Sequence, residues 1–380
     1  MPITLTRIDV SAYRVPIEQP VATSFGVMTN RPAVFVQVED SDGAFGFGEV
    51  FANWPAAGAE HRVRLVADDF ADLLVGAQFD GPTALFETLT KQTHIRALQC
   101  GEWGPFRQVI AGLDTGYRDL LARKAGVPLA QALNADAGQS VPCYASGIAI
   151  AQAVPQIAQS RRLGFDAFKV KVGFDLDTDC AGLDRLVPTL GANEMLFADS
   201  NQAWDLQTAQ DFSDRVSHLP IGWLEEPLPA DAPLQEWEAL AQSTRIPLAG
   251  GENITGIDDF AQASTADIFR VLQPDVAKWG GITGCWAVAQ SIPKANKRYC
   301  PHFLGGGIGL IASAHLLAAA GGDGLLEVDV NPNPLRDAFD LWSGTPSRAR
   351  LTIPNAPGLG ITDLPDDIGP YLTMRETLTV

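Results

Sequence analysis

Residues 166–201, DAFKVKVGFDLDTDCAGLDRLVPTLGANEMLFADSN, decide the fold because they hold two apolar runs that each end in polar side chains. The first run ends in Lys169 and Lys171. The second ends in Asp199 and Asn201, and a helical pattern separates the two. The same arrangement recurs downstream, where further apolar runs end in Glu225, Glu252, Asp275, His302 and Glu327.

These polar residues follow one another at nearly equal steps. From Lys171 onward each step is between 23 and 28 residues long, which is enough for one strand, one helix and two loops. A closed (β/α) barrel brings the C-terminal ends of all its strands to one mouth. We therefore predict an α/β fold in which three carboxylates, two lysines and a His/Asp pair converge on one pocket.

The segments on either side of this repeat have other patterns. Residues 3–15 and 31–50 alternate as strands do, and the pattern turns helical from 61 to 124, with Gly126 as a helix stop. We predict an α+β domain over 1–125, the barrel over 126–330, and a C-terminal segment over 331–380. Within that segment RLTIPNAPGLGI, residues 350–361, is typical of a strand and a turn that return to the first domain.

Charge and cysteine content narrow the class of protein. A net charge of −18 and an isoelectric point near 4.6 argue against nucleic-acid or anionic-membrane partners. No apolar run approaches the roughly 18 residues of a membrane span, and the N-terminus lacks a signal-peptide pattern. The five cysteines are scattered without CxxC spacing, which is typical of reduced thiols. We therefore expect a cytoplasmic protein.

Lys169 and Lys171 lie two residues apart on one strand, so both side chains leave the same face. If that face lines the barrel, the two ammonium groups lower each other's pKa, as does a nearby divalent cation, so one lysine can be neutral near pH 7 and act as a base. Taken alone, a Lys-x-Lys pair is also typical of an exposed strand.

Asp199, Glu225 and Glu252 end three successive strands. A set of three carboxylates supplies oxygen ligands only, which favours a hard cation, and Mg²⁺ fits best because it keeps positions open for water and substrate. Asn201 lies on the same strand face as Asp199, where it would reach the metal or orient a ligand. Each acid by itself is also typical of a surface position; their equivalent places in three repeats favour the metal site.

His302 and Asp275 end adjacent strands of the predicted barrel. A carboxylate beside an imidazole sets its tautomer and raises its basicity. Glu327 follows on the next strand and, if protonated, would donate to a developing oxyanion. A rim ion pair is the alternative for Glu327.

The ordered motifs KVK, DSN, WLEEP, GEN, PDVAKWGGITG and CPH resemble the enolase superfamily, specifically its mandelate racemase group, over essentially the whole chain. The resemblance implies a modified TIM barrel covered by a capping domain that the N- and C-terminal segments form together. It also implies Mg²⁺ bound by Asp199, Glu225 and Glu252. By the same resemblance Lys171 and the His302–Asp275 dyad are opposed acid/base groups, Lys169 steadies the substrate carboxylate, and Glu327 supports the enolate oxygen.

The glycine-rich loop after His302 departs from the mandelate racemase pattern. About five extra residues, GGGIG, precede the next helix, and the loop resembles that of acid-sugar dehydratases such as fuconate dehydratase. This favours dehydration of a sugar acid or hydroxy acid to a 2-keto acid. Racemisation or epimerisation of a 2-hydroxy acid remains the alternative. A non-catalytic barrel would be expected to lack a ligand or base, and none is missing.

Substrate choice is expected to lie in two loops of the first domain, residues 18–32 and 50–61. They contain the predicted substrate-binding residues Phe25, Met28, Asn53 and Trp54. The expected partner is a small-molecule carboxylate, and we expect a homo-oligomer.

Overall fold

The computed structural model describes residues 2–23, 26–292, 297–345 and 347–380. Phe25, one of the predicted substrate-binding residues, lies outside this part of the chain. Within the described ranges, no helix is both long enough and apolar enough to cross a membrane.

The strands fall into two groups along the chain. They are β1 (Ile3–Thr23), β2 (Gly26–Asp40), β3 (Phe45–Val50), β4 (Gln78–Phe79), β5 (Ser140–Ala149), β6 (Ala167–Lys171), β7 (Met195–Asp199), β8 (Ile221–Glu225), β9 (Leu248–Gly250), β10 (Phe269–Leu272), β11 (Arg298–Tyr299), β12 (Leu326–Asp329), β13 (Arg350–Thr352) and β14 (Leu372–Thr379).

Helices connect these strands. They are α1 (Gly58–Leu65), α2 (Ala71–Leu74), α3 (Ala84–Cys100), α4 (Trp103–Ala125), α5 (Leu129–Leu133), α6 (Ala153–Arg162), α7 (Leu176–Leu186), α8 (Leu206–Arg215), α9 (Leu234–Ser243), α10 (Ile257–Thr265), α11 (Gly281–Ser291), α12 (Gly307–Ala320) and α13 (Pro334–Asp337). Short 3₁₀ or π turns occupy Val66–Phe70, Ile150–Gln152, Val187–Thr189 and Asp366–Tyr371.

Local sequence signals explain several helix ends. Asp175 and Asp205 precede α7 and α8, and their carboxylates accept the backbone N–H groups of Thr178 and Thr208, as N-cap residues do. Gly126 follows α4 with φ 71°, the left-handed conformation that glycine adopts without a steric penalty. The predicted helix stop at Gly126 is therefore confirmed.

Eight parallel strands form the barrel in the order β11-β10-β9-β8-β7-β6-β5-β12. The two ends of this order meet where the Leu325 backbone N–H donates to Cys300 Sγ at 3.4 Å. The predicted α/β architecture, a modified TIM barrel, is confirmed by this parallel order. The C-terminal ends of the strands consequently surround one mouth.

An antiparallel sheet of order β14-β1-β2-β3, with β4 beside β1, covers the barrel. Residues from the C-terminal end of the chain thus pair with its N-terminal strand, from Arg7↔Thr379 to Tyr13↔Leu372. We call β1–β4, α1–α4 and β14 the capping domain. The domain limits at 125 and 330 stay predictions.

The predicted strand at 350–361 does not join this sheet. Arg350–Thr352 pairs antiparallel with Ser140–Pro142 at the start of β5. The reason is that the ladders of β5 to its parallel neighbours begin only at Cys143 and Ala145, so residues 140–142 need another strand. The turn beyond does contact the capping domain, because the Leu359 N–H donates to Asp119 on α4.

Candidate active site

The inside of the barrel has two chemically different layers. The lower layer is a buried cluster of mostly apolar side chains, in which Phe197 and Trp223 stack with ring centroids 3.4 Å apart. Side chains two residues apart on a strand share a face, so the next inward position on each strand forms a second layer. The lower layer is Tyr144, Ala167, Phe197, Trp223, Ala249, Val271, Cys300 and Leu325. The second layer is Ser146, Lys169, Asp199, Glu225, Gly251, Gln273, His302 and Glu327.

The three predicted metal ligands end neighbouring strands. Asp199 and Glu225 are register partners at the ends of β7 and β8, and both are buried. Glu252 follows β9, the next strand in the sheet. The backbone therefore brings the three carboxylates to adjacent positions of the mouth, as the sequence predicted.

Their side chains are turned toward cations and N–H donors of the protein. Asp199 accepts Lys171 Nζ at 2.5 Å, and Glu225 accepts Lys169 Nζ at 2.5 Å. Glu252 contacts the Nε2 of His302. An unpaired buried carboxylate is costly, so each one takes the positive group within reach. Among the described residues no three acidic, histidine or cysteine side chains are grouped as a metal site.

Lys169 and Lys171 occupy different levels of the site. Lys169 is fully buried beneath the cavity, where its ammonium contacts Glu225 and, at 2.8 Å, Glu327. Lys171 is 19% exposed and lines the cavity. For both lysines burial lowers the pKa, but the carboxylates raise it more, so each pKa lies above its ordinary value. The predicted lowering is therefore wrong for this arrangement, because the carboxylates outweigh the neighbouring ammonium.

The predicted dyad is formed as expected. His302 Nδ1 donates to Asp275 Oδ2 at 2.6 Å, and a parallel bridge connects the two backbones. Burial lowers the pKa of His302, but Glu252 and Glu327, followed by Asp275, raise it well above its ordinary value. The predicted increase in basicity is confirmed, although Glu252 contributes more than Asp275.

Glu327 lies between the two candidate acid/base groups. It accepts hydrogen bonds from Ser146 Oγ and Lys169 Nζ, and its Oε2 lies 3.9 Å from His302 Nε2. Burial raises the pKa of Glu327, but Lys169 and His302 lower it more. The net direction of the pKa shift is downward, which favours the ionised carboxylate over the predicted protonated donor.

One cavity of about 820 Å³ opens above the second layer. Its wall includes Lys171, His302 and Glu327, together with the ligand candidates Glu252 and Asn201. Three of the predicted capping-domain residues also line it: Met28, Asn53 and Trp54. Asn201 has φ 46°, a left-handed conformation that asparagine tolerates, and its N–H donates to Asp199. Phe25 lies outside the described residues.

The cavity wall also contains residues that sequence reasoning missed. Asp329 lies two residues beyond Glu327 on β12, and its carboxylate accepts Arg31 Nη2 from the capping domain at 2.7 Å. Period-two alternation along GLLEVD could have found it. Gln152 and Gln156 follow β5, and no sequence signal pointed to them because this strand ends in no charged residue.

Lys278 is another wall residue with no predicted role. Its Nζ donates to Asn253 Oδ1 at 2.8 Å and lies 5.0 Å from the centre of the Phe51 ring. The sequence shows this lysine three residues after Asp275, but only the fold shows that it faces the cavity.

The fold and the site define an enzyme class, a capped (β/α) barrel with acids, bases and carboxylate ligands at the mouth. Residues 6–133 match the family model of the mandelate racemase/muconate lactonizing enzyme N-terminal domain. Residues 152–366 match that of the enolase C-terminal domain-like proteins. The chain therefore belongs to the mandelate racemase/muconate lactonizing enzyme family of the enolase superfamily.

Two curated relatives cover almost the whole chain. The D-galactarolactone cycloisomerase of Agrobacterium fabrum is 25% identical over 95% of this chain and 96% of its own length. The L-talarate/galactarate dehydratase of Salmonella typhimurium is 28% identical over 93% of this chain and 88% of its own. Relatives of this chain thus include both dehydratases and cycloisomerases.

Two solved structures are also similar. A mandelate racemase/muconate lactonizing enzyme from Bordetella bronchiseptica is 47% identical, with a TM-score of 0.90, and covers 96% of this chain and 98% of its own. An enolase from Bradyrhizobium, complexed with magnesium and mandelic acid, is 26% identical, with a TM-score of 0.82, and covers 98% of this chain and 99% of its own.

Proposed function

We propose that the protein removes the proton α to the carboxylate of a sugar acid or hydroxy acid and then eliminates the β-hydroxyl group, which yields a 2-keto acid. The observation that carries this proposal is the shared cavity of Lys171 and His302. The two residues end strands that stand three places apart one way round the eight-stranded barrel and five the other, so they approach the cavity from different sides.

The polarity of the cavity supports a polyhydroxylated substrate. Amide side chains occupy several levels of its wall, and they supply both donors and acceptors for hydroxyl groups. They are Asn53, Gln108, Gln152, Gln156, Asn201, Gln202, Asn253 and Asn331. The dehydratase relative, which is named for two sugar acids, supports the same substrate class.

Mg²⁺ is the proposed cofactor, with Asp199, Glu225 and Glu252 as its ligands. The donor set fits, because it consists of three carboxylates on neighbouring strands beside an amide, Asn201. A similar solved structure contains magnesium. When bound, the metal would supply Lewis-acid stabilisation of the charge that develops on the substrate carboxylate.

The protein side chains divide the remaining chemistry. One of Lys171 and His302 takes the α-proton, and the electron pair of that C–H bond forms the double bond. The other protonates the departing β-hydroxyl, which leaves as water, and the resulting enol becomes the 2-keto acid. Asp275 holds the His302 tautomer, and the buried Lys169 ammonium would steady the substrate carboxylate from beneath the cavity.

Typical rate contributions indicate that the predicted metal ligands contribute more to catalysis than either acid/base group does. A positioned general acid or base is worth about 10²–10⁴-fold, or ~3–5 kcal/mol. Enzymes typically lower barriers by about 8–23 kcal/mol. Electrostatic stabilisation by the bound metal and by the Lys169 ammonium would have to supply most of the remainder.

The test is to incubate the protein with Mg²⁺ and a set of sugar acids, hydroxy acids and sugar lactones, and to detect 2-keto acids as semicarbazones. We expect keto-acid formation from at least one sugar acid, and none in the matched Lys171→Ala variant. Conversion of a lactone without any keto acid would overturn dehydration and would favour cycloisomerisation.

A 1,1-proton transfer, as in a racemase or epimerase, is the second candidate. It is favoured by the same placement of Lys171 and His302, because one group can remove the proton and the other can return it from a different side. The measurement is NMR in D₂O. Exchange of the α-hydrogen together with appearance of an epimer, and no keto acid, would establish it.

A further inference from the structure

The helices that follow the two strands of the dyad both begin against carboxylates of the capping domain. Helix α11 starts at Gly281, shortly after Asp275, and helix α12 starts at Gly307, shortly after His302. The first N–H groups of a helix lack partners within it and bind negative charge well. In this protein another domain supplies that charge.

Glu49, at the end of β3, accepts hydrogen bonds from the N-terminus of α12. Its Oε1 accepts the N–H of Gly306, the residue before the helix, and its Oε2 accepts the N–H of Gly309 at 2.8 Å. The carboxylate is buried, with 4% of its residue exposed. A Cβ atom at Gly305 would lie 2.6 Å from Glu49 Oε1, so glycine at this position leaves room for the carboxylate.

Asp114, in the middle of α4, likewise accepts hydrogen bonds from the N-terminus of α11. Its Oδ2 accepts the N–H of Thr283 at 2.8 Å, and its Oδ1 accepts the Thr283 hydroxyl at 2.7 Å. Asp114 is fully buried, and a Cβ atom at Gly281 would lie 2.6 Å from its Oδ2. Thr283 and Gly309 hold the same position, the third residue of their helices.

The loop between His302 and α12 also accepts hydrogen bonds from two asparagine side chains, one in the capping domain and one after the last barrel strand. Asn53 Nδ2 donates to the Leu304 carbonyl at 2.9 Å, and Asn333 Nδ2 donates to the Gly305 carbonyl at 2.8 Å. Leu304 and Asn53 both line the cavity. A shift of this loop would therefore move the cavity wall and the residue that precedes it, His302.

We propose that Glu49 and Asp114 are positioning residues, which dock the N-termini of α12 and α11 onto the capping domain and so set the geometry of the His302–Asp275 dyad. This inference rests on the proposed function only for its kinetic readout. It deepens that function, because the same domain that carries substrate-binding loops also places an acid/base group.

The test compares Glu49→Gln and Asp114→Asn with Asp119→Asn. Asp119 is the control: it is a buried capping-domain carboxylate that accepts the backbone N–H groups of Phe47 at 2.8 Å and Leu359 at 2.6 Å and also pairs with Arg123, but it contacts neither helix start. Measurements are made at pH ~8.5, because burial raises the pKa of Glu49 to about 7 and Glu49 must be ionised.

The first readout needs no substrate. Hydrogen–deuterium exchange and carbethoxylation of His302, both followed by mass spectrometry, report the loop and the imidazole directly. We expect Glu49→Gln to speed exchange over residues 303–309 and to change His302 modification by about threefold or more. We expect Asp114→Asn to speed exchange over 276–284. Asp119→Asn should change neither region.

The second readout is kinetic and uses the substrate found in the screen. We expect kcat to fall by about tenfold or more in Glu49→Gln with KM nearly unchanged, because a small displacement of an acid/base group costs rate more than binding. Wild-type exchange and modification in both variants, or equal effects in Asp119→Asn, would overturn the proposal. Those outcomes are independent of whether any keto acid is formed. Should Glu49→Gln fail to fold, Glu49→Asp, which retains the charge but has a shorter reach, provides the same comparison.

Discussion

The two layers inside the barrel are built from the same strands yet have opposite chemistry. The lower layer contains Tyr144, Phe197 and Trp223, packed edge-to-face and stacked, whereas two residues further along the second layer contains buried ions. The lower layer excludes water from beneath the ions, and in a dry environment charges interact more strongly. Both layers are buried, so burial alone does not determine whether a position is apolar or ionised. The charged and hydrogen-bonding partners available at each level determine it.

The layers also contact one another. Trp223 Nε1 donates upward to Glu225 Oε2 at 3.2 Å, and the Lys169 ammonium lies 5.4 Å from the centre of the Tyr144 ring. Gln273 adds a second donor to Glu225 Oε2 at 2.6 Å. The aromatic side chains of the lower layer thus help to hold Glu225, which is predicted to bind the metal.

The largest effect is expected from removing the two acid/base groups, His302 in the second layer and Lys171 above it. We expect Lys171→Ala and His302→Ala each to lower kcat by about 10²–10⁴-fold, because each removes a proton-transfer group. Steady-state assays on the substrate found by the screen measure this, with Lys124→Met as a control far from the cavity. Full activity in both variants would show that the acid/base assignment is wrong.

Removing the buried cation of the second layer tests how much the ions depend on one another. We expect Lys169→Met to lower the free energy of unfolding by about 3–5 kcal/mol, because Glu225 and Glu327 lose a fully buried partner. Urea unfolding measures it. The control Lys124→Met removes a lysine that is 28% exposed and also pairs with two carboxylates, of which Asp40 is buried and Asp42 is exposed.

For that control we expect a smaller loss of about 1 kcal/mol, because Lys124 is partly hydrated and Asp40 keeps the backbone N–H groups of Asp42 and Ala44. Equal losses in Lys169→Met and Lys124→Met would contradict the view that burial makes the second layer interdependent.

A substitution in the lower layer should have a smaller effect on the free energy of unfolding. We expect Trp223→Phe to cost about 1–3 kcal/mol, because it removes the hydrogen bond to Glu225 and some packing volume. The control is Trp237→Phe on α9, where the indole packs against Phe269 instead. If both variants lose the same stability, the upward hydrogen bond contributes nothing measurable.

The smallest expected effect concerns a buried ionisable group without a counter-charge. His315 on α12 accepts the Ala130 N–H at Nδ1, and burial lowers its pKa to about 4 from 6.5. Its neutral form is therefore favoured by folding, so the associated stability is complete above pH ~6.5 and is lost as the pH falls toward ~4.

Between pH 7 and pH 5 this loss amounts to about 2 kcal/mol for His315. Asn at this position retains an acceptor without titrating, so His315→Asn should reduce the acid-induced loss by that amount. Urea unfolding at the two pH values gives the difference. An unchanged pH dependence would show that His315 is not a neutral buried group.

Much of the site was predictable because period-two alternation and the repeat of βα units are local properties of the chain. They sufficed to place Asp199, Glu225, Glu252 and His302 at the mouth. Period-two alternation would also place Asp329 on the inner face, but not its pairing with Arg31, nearly three hundred residues earlier in the chain. The predicted return of residues 350–361 to the first domain holds for the turn but not for Arg350–Thr352, because the pattern shows a strand but not its partner.

The sequence by itself determined the class of fold, the family and the acids, lysines and His/Asp pair that end the barrel strands, since each follows from spacing, motifs and residue type. Only the tertiary structure decided the ionisation and contacts of those groups. Lys169 lies beneath the cavity and keeps a raised pKa because three carboxylates from other strands surround it. Electrostatic energy depends on distances between side chains, and those distances exist only once the barrel has closed.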